Sequence, residues 1–180
     1  MYALMPDEPL KSVLEAERLE FAEKYNTRKA LTNPIHVTLI PPFHFDEDEQ
    51  RLIDEIEVHS DPFYVRLTGY ASFKRNLVFY VDVEQTPALM AFQSTLADTF
   101  QKTFPKIKFR NLHDFHPHIT LGYRDLTRKM FEQAMRDHKN GHLRHEWVVN
   151  SYYLWKYVSQ QWQVIHSLPL QLQPKSGTQG

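Results

Sequence analysis

The spacing of apolar residues changes period several times along the chain, and each change predicts an element. Residues 2–5 form a short apolar run ended by Pro6 and read as a strand. From Pro9 to about Tyr25, Leu10, Val13, Leu14, Phe21 and Tyr25 fall on one side of a helix, a stripe that Glu17 and Arg18 interrupt. A loop containing Asn33-Pro34 leads into residues 35–40, which alternate as a strand should until Pro41-Pro42 stops them. Asp46 and Glu49 have the spacing of a capping box ahead of Leu52, Ile53 and Ile56. Residues 63–67 and 77–83 read as strands, with Gly69 marking a turn or bulge between them.

Thr86-Pro87 opens a helix, a cap followed by proline at the first helical position, and Leu89, Phe92, Leu96 and Phe100 give it a clean apolar stripe. An irregular segment after Pro105 ends in His116-Pro117, and residues 118–123 form the next strand. Asp125 is placed to cap a helix carrying Met130, Phe131, Ala134 and Met135, closed by Asn140-Gly141. Residues 147–157 and 162–167, aromatic and β-branched, read as two paired strands around a turn near Ser159. The polar stretch 171–180, with Pro and Gly, reads as a disordered tail, which leaves 1–170 as a single bilobal domain.

A repeat runs through this layout. Helix, proline-bearing loop, His-x-Thr-Leu strand, then helix occurs around His36 and again around His118, nearly half the chain further on. Helices alternating with strands give a mixed α/β or α+β class, and the repeat predicts two lobes related by a pseudo-two-fold axis.

Composition narrows the chemistry without deciding it. A formal charge of -1 gives no electrostatic basis for tight, non-specific binding to duplex nucleic acid, although a small phosphate-bearing substrate needs only a local positive site. The absence of cysteine excludes disulfides, thiolate metal sites and a cysteine nucleophile. Neither a signal-like start nor a membrane-length apolar run is present in the sequence, so a cytoplasmic enzyme is the expectation; a monomer is expected as well.

The two histidine strands carry the reactive groups. Alternate strand residues share a face, so His36, Thr38 and Ile40 point one way, as do His118, Thr120 and Gly122, with Arg124 joining them if that strand continues. Gly122 would leave the second face uncrowded. One His-x-Thr-Leu string alone is commonplace. Two in matched contexts fit phosphodiester chemistry, because imidazole titrates near neutrality and a facing pair can supply both base and acid. The threonine hydroxyls could donate to non-bridging oxygens as charge builds there, and Arg124 could add a bidentate contact.

The strings His36-Val-Thr-Leu-Ile-Pro-Pro-Phe43 and His116-Pro-His-Ile-Thr-Leu-Gly-Tyr-Arg124 together resemble the signature of the two-histidine (2H) phosphoesterase superfamily. The branch they resemble is that of the bacterial and archaeal 2′-5′ RNA ligases, also described as RNA 2′,3′-cyclic phosphodiesterases. The resemblance implies a bilobal α+β fold with antiparallel-rich sheets lining a central cleft and helices outside. It implies that His36 and His118 act as acid and base, that Thr38 and Thr120 bind the phosphate, and that Arg124 matches an arginine found shortly after the second motif. By analogy with relatives that yield 2′-phosphates, the second motif supplies the base. The implied reaction is metal-independent opening of 2′,3′-cyclic phosphates on RNA ends or nucleotides, with reversible 2′-5′ ligation, and it requires no cofactor. The chain departs from that branch in its Ile40-Pro-Pro-Phe ending and in its opening strand, which bears on the substrate rather than the chemistry.

Two other readings stand beside this one. The first is an RNA- or nucleotide-binding module with the same cleft and no turnover. The second is a metal-dependent hydrolase built on His113, His116 and His118, which have ligand-like spacing. Phe43 and Tyr2 are candidates to stack on a base, and Lys74 and Arg75 form a small basic turn. His44, His59, His138, His142 and His145 read as surface residues.

Overall fold

A computed structural model describes residues 1–110 and 112–170; the tail read as disordered, 171–180, lies outside the described residues. Eight strands are seen, β1 (Tyr2–Leu4), β2 (Val37–Ile40), β3 (Phe63–Phe73), β4 (Val78–Val83), β5 (His118–Gly122), β6 (Glu146–Val149), β7 (Ser151–Val158) and β8 (Gln161–Pro169). Four helices accompany them: α1 (Leu10–Tyr25), α2 (Gln50–Asp54), α3 (Pro87–Thr103) and α4 (Arg128–Asp137). The strands form two antiparallel four-stranded sheets, ordered β2-β1-β7-β8 and β5-β4-β3-β6. The class is α+β, and each His-x-Thr strand is the edge of its own sheet.

Those two edges meet. β2 and β5 come within 8 Å, Cα to Cα, so the motifs from the two halves of the sequence face each other where the lobes join. Gln93 of α3 helps to hold them there. It is 2% exposed, and its side-chain amide donates to the carbonyls of Leu39 on β2 and Leu112 on the approach to β5, both at 3.2 Å. Leu89, Phe92, Leu96 and Phe100 of α3 are buried with Tyr2, Leu4, Leu39 and Val65, so the predicted stripe is the core face of that helix.

Several local expectations give way to packing. The run 63–67 extends to Phe73, with Gly69 forming a bulge at φ 125°, a conformation open to glycine. The capping box of Asp46 and Glu49 does not form; α2 is a short helix, and Asp48 accepts from the Gln50 N–H at 3.0 Å instead. α4 is capped by Thr127, whose hydroxyl accepts from Met130 N–H at 3.3 Å. Asp125 is drawn away to the loop after α1, where it takes the Thr27 hydroxyl at 2.5 Å and the Arg28 and Lys29 N–H groups at 2.7 and 3.0 Å. The stretch 147–157 is not one strand: at Asn150 the chain leaves β6, paired with β3, and enters β7, paired with β1 in the other sheet. On α1 the buried stripe is Leu10, Leu14, Arg18, Phe21, Ala22 and Tyr25, whereas Val13 is exposed.

Gly122 also differs in role. A Cβ there would lie 2.7 Å from the Phe21 ring, so the residue faces α1 and permits close approach of helix and strand rather than clearing the cleft. His138 is half-buried rather than free on the surface, its ring 4.7 Å from Tyr70 and 5.1 Å from Phe79. Among the described residues no helix is long and apolar enough to cross a membrane.

Candidate active site between the two histidine strands

A cavity of about 890 Å³ opens between the sheets, lined by His36 just before β2, Thr38 of β2, Thr120 of β5, Arg18 of α1 and Trp155 and Trp162 of β7 and β8. Such a volume suits a nucleotide-sized ligand. Alternation turns the polar residues of the first motif out of the core: Ile35, Val37 and Leu39 are buried, while His36 and Thr38 between them are partly exposed and line the cavity. On the second motif Ile119 and Leu121 are buried, with His118 and Thr120 partly exposed; Thr120 is on the cavity wall, whereas His118 is near enough to act on His36 but is not among the lining residues.

The two imidazoles are fixed by the same device. His36 Nδ1 lies 2.8 Å from the Pro34 carbonyl oxygen, and His118 Nδ1 lies 2.8 Å from the His116 carbonyl oxygen. A carbonyl only accepts, so each Nδ1 must donate, which leaves each Nε2 with a lone pair in the neutral ring. Burial lowers the pKa of both rings. The backbone bonds work the other way; further lowering comes at His36 from the charges of His118 and Arg18, and at His118 from His116, with Asp82 opposing. At neutral pH the lowered values favour the neutral form of both rings.

His118 itself packs against Phe73 and Tyr80, with ring centroids at 5.1 and 4.9 Å. Its neighbour His116 turns elsewhere, with Nε2 at 3.0 Å from Asp82 Oδ1 and 3.2 Å from the Tyr80 hydroxyl. His113 lies 3.8 Å from Asp98 Oδ1. The three histidines of the ligand-like spacing therefore diverge, and among the described residues no group of three or more such side chains could hold a metal ion.

The remaining candidates divide. Phe43 reaches the cavity wall, although part of its ring is taken up by Phe100 at 4.8 Å. Tyr2 does not: it is 0% exposed and its hydroxyl donates to the Leu52 carbonyl at 2.6 Å, because β1 is the interior strand of its sheet. The stacking expectation for Tyr2 is thus corrected. Arg124 lines the cavity, but not by continuing the strand, which ends at Gly122. Arg124 takes a left-handed turn at φ 60° and lays its guanidinium 5.3 Å over the Tyr123 ring.

Several lining residues have no counterpart in the sequence reading. Arg18 and Lys29 bring positive charge to the cavity, and Lys156 does so while paired with Glu49. Trp155, 6.3 Å from His36 ring to ring, and the exposed Tyr157 with Trp162, 5.3 Å apart, add an aromatic wall. The available signals were a charge inside an apolar helical stripe and aromatics alternating along β7.

Comparison with known proteins agrees with this fold. The family model described as the 2′-5′ RNA ligase superfamily matches residues 6–161. Ligand-free E. coli LigT superposes with a TM-score of 0.63 at 17% identity, covering 96% of each chain. E. coli LigT complexed with 3′-AMP gives 0.57 at 14% identity, again over 96% of each. A structure described as a phosphoesterase gives 0.58 at 15% identity, covering 96% of this chain and 97% of its own. No curated protein matches. With the family matched over most of its length and the bilobal fold shared, the chain belongs to the 2′-5′ RNA ligase superfamily of 2H phosphoesterases.

Proposed function

We propose that the protein opens 2′,3′-cyclic phosphates on RNA ends or nucleotides by two-histidine acid–base catalysis, and joins ends through a 2′-5′ linkage when an RNA 5′-hydroxyl replaces water as nucleophile. The observation that carries this reading is the matched presentation of His36 and His118: both commit Nδ1 to a backbone carbonyl, and they come from edge strands that approach each other. In the direction the analogy implies, His118 Nε2 takes a proton from water as it attacks phosphorus. His36, protonated in the bound state, then gives its Nε2 proton to the departing ribose oxygen. In joining, an RNA 5′-hydroxyl gives its proton to His118 in place of water, and the two roles are unchanged.

Thr38 and Thr120 supply hydroxyl donors to the non-bridging oxygens, and Arg124 offers charge at the rim. LigT has been crystallised with NADP+, 3′-AMP and ATP. Here Phe43, Trp155, Tyr157 and Trp162 would receive a base in the same cavity. The local cations Arg18, Lys29 and Arg124 would attract a phosphate despite the formal charge of -1.

The test is incubation with 2′,3′-cyclic nucleotides and with RNA ending in a cyclic phosphate, chelator present, followed by phosphorus NMR. Ring opening to a single monoester is expected. No opening of any cyclic phosphate, or opening abolished by the chelator, sinks the proposal.

A further inference from the structure

Arg18 occupies a position where α1 otherwise buries apolar side chains. It stands between Leu14 and Phe21 on the inward stripe and is 7% exposed. Its Nε is buried and has no hydrogen-bond partner among the described residues. Burial lowers its pKa, and the exposed Glu15 on the same helix opposes that only in part. An Nε–H kept from water without an acceptor is costly, while an apolar residue would fill the same stripe at no such cost. The expense makes sense if the acceptor comes with the ligand.

The cavity supports that view. Arg18 lines it together with His36, Thr38 and Thr120, and its charge is felt at His36. Trp155 Nε1, beside His36 on the same cavity, is a second buried donor lacking an acceptor. The other such group among the described residues, Trp147 Nε1, is not on this wall.

We propose that Arg18 is a substrate-binding residue of the cleft, donating from the α1 side to non-bridging oxygens of the phosphate that lies between His36 and His118. The proposal rests on the phosphoester reading of the site for the identity of that anion. A planar guanidinium can span two phosphate oxygens, and it keeps its proton where a lysine would surrender it. Away from bulk water its attraction for the charge growing on those oxygens is strengthened. Arg124, exposed on its turn, is placed to guide the anion in; Arg18 is placed to hold it at the reacting end.

Inorganic phosphate titrated calorimetrically into the wild type, Arg18→Met and Arg18→Lys provides the test, with Tm recorded in phosphate-free buffer and 2′,3′-cyclic AMP hydrolysis followed in parallel. Affinity for phosphate should fall roughly 10- to 100-fold in Arg18→Met, the scale of a charge-assisted hydrogen bond, with Arg18→Lys between the two. Tm without phosphate should equal or exceed that of the wild type, since a buried Nε–H without an acceptor has been removed. Unchanged phosphate affinity in Arg18→Met would overturn the proposal, as would a wild type that binds no phosphate. A variant that fails to fold or melts well below the wild type would also overturn it, because the guanidinium would then be a structural partner. A wild type that binds phosphate through Arg18 but opens no cyclic phosphate keeps the anion site and removes the proposed activity. Wild-type turnover and binding in Arg18→Met does the reverse.

Discussion

His36 and His118 are held alike, each with Nδ1 2.8 Å from the carbonyl oxygen of the residue two places before it, Pro34 in one case and His116 in the other. The repeat seen in the sequence therefore extends to the tautomer of each ring. Both keep Nε2 as the basic nitrogen of the neutral ring, the atom that the proposed proton transfers use.

If this pair performs the chemistry, His36→Ala and His118→Ala should each lower kcat/KM for a 2′,3′-cyclic nucleotide by roughly 10²–10⁴-fold. Thr38→Val and Thr120→Val should lower it by about 10²-fold through loss of a donor to the charged oxygens. Steady-state kinetics of the purified variants gives the answer, and normal turnover in either alanine variant rejects the mechanism.

Both rings have pKa values below that of an unfolded histidine, burial being the main cause. As pH drops past about 6.5 the unfolded chain takes up protons that the folded rings resist. Their contribution to stability is thus full above that pH and is lost as pH falls toward the lowered folded values. Tm should decline between pH 7.5 and 5.5, and His36→Gln should decline less steeply. Parallel slopes for wild type and variant would contradict the account.

Each ring also has a basic neighbour that resists its protonation, His116 for His118 and Arg18 for His36. His116→Asn should raise the titration midpoint of the His118 ring, and Arg18→Met should raise that of His36. Proton–nitrogen NMR of the two imidazoles reads both shifts; a midpoint that stays or falls refutes the assignment.

Gly122 lies so close to Phe21 that an added Cβ would sit 2.7 Å from the ring. Gly122→Ala should destabilise the protein by about 1–3 kcal/mol through overpacking. Chemical denaturation measures this, and Phe21→Leu in the same chain should recover part of the loss. No rescue would place the cost somewhere other than this contact.

Asp125 gathers the loop after α1 through Thr27, Arg28 and Lys29. Its partial burial works against ionisation, but the hydrogen bonds from Thr27, Arg28 and Lys29 outweigh it and hold the pKa below the ordinary 3.8. Its contribution should be present above that value and lost as pH falls through the lowered one. Asp125→Ala at pH 7 should cost about 1–3 kcal/mol and leave backbone donors unpaired. Equal denaturation midpoints for wild type and variant would show that these bonds add nothing.

What could be read from the sequence was what each segment encodes by itself. The alternation that turns His36 and Thr38 away from Val37 and Leu39 lies within four residues, and so does the Thr86-Pro87 helix start. What could not be read depends on residues far away. Asp125 has the form of a helix cap, and only the return of the Thr27 loop gives its carboxylate better donors. Tyr2 resembles a cleft aromatic until β7 closes over the far side of β1. Arg18 looks like a flaw in a stripe because periodicity reports which face turns inward, not whether that face meets core or cavity. The break at Asn150 leaves no local mark, since both of its sides are good strand sequence.

That break has a consequence for how the molecule can be made. β1 is sandwiched between β2 and a strand from the last third of the chain, while β3 waits for β6 across the whole second motif. The duplication is therefore one of shape and not of folding units. A nascent chain that has completed the first motif still has an unsatisfied edge on β1, and it keeps that edge until the segment around Asn150 has been synthesised. Cutting the gene between the motifs should yield two pieces that fold only in each other's presence, despite each carrying its own histidine.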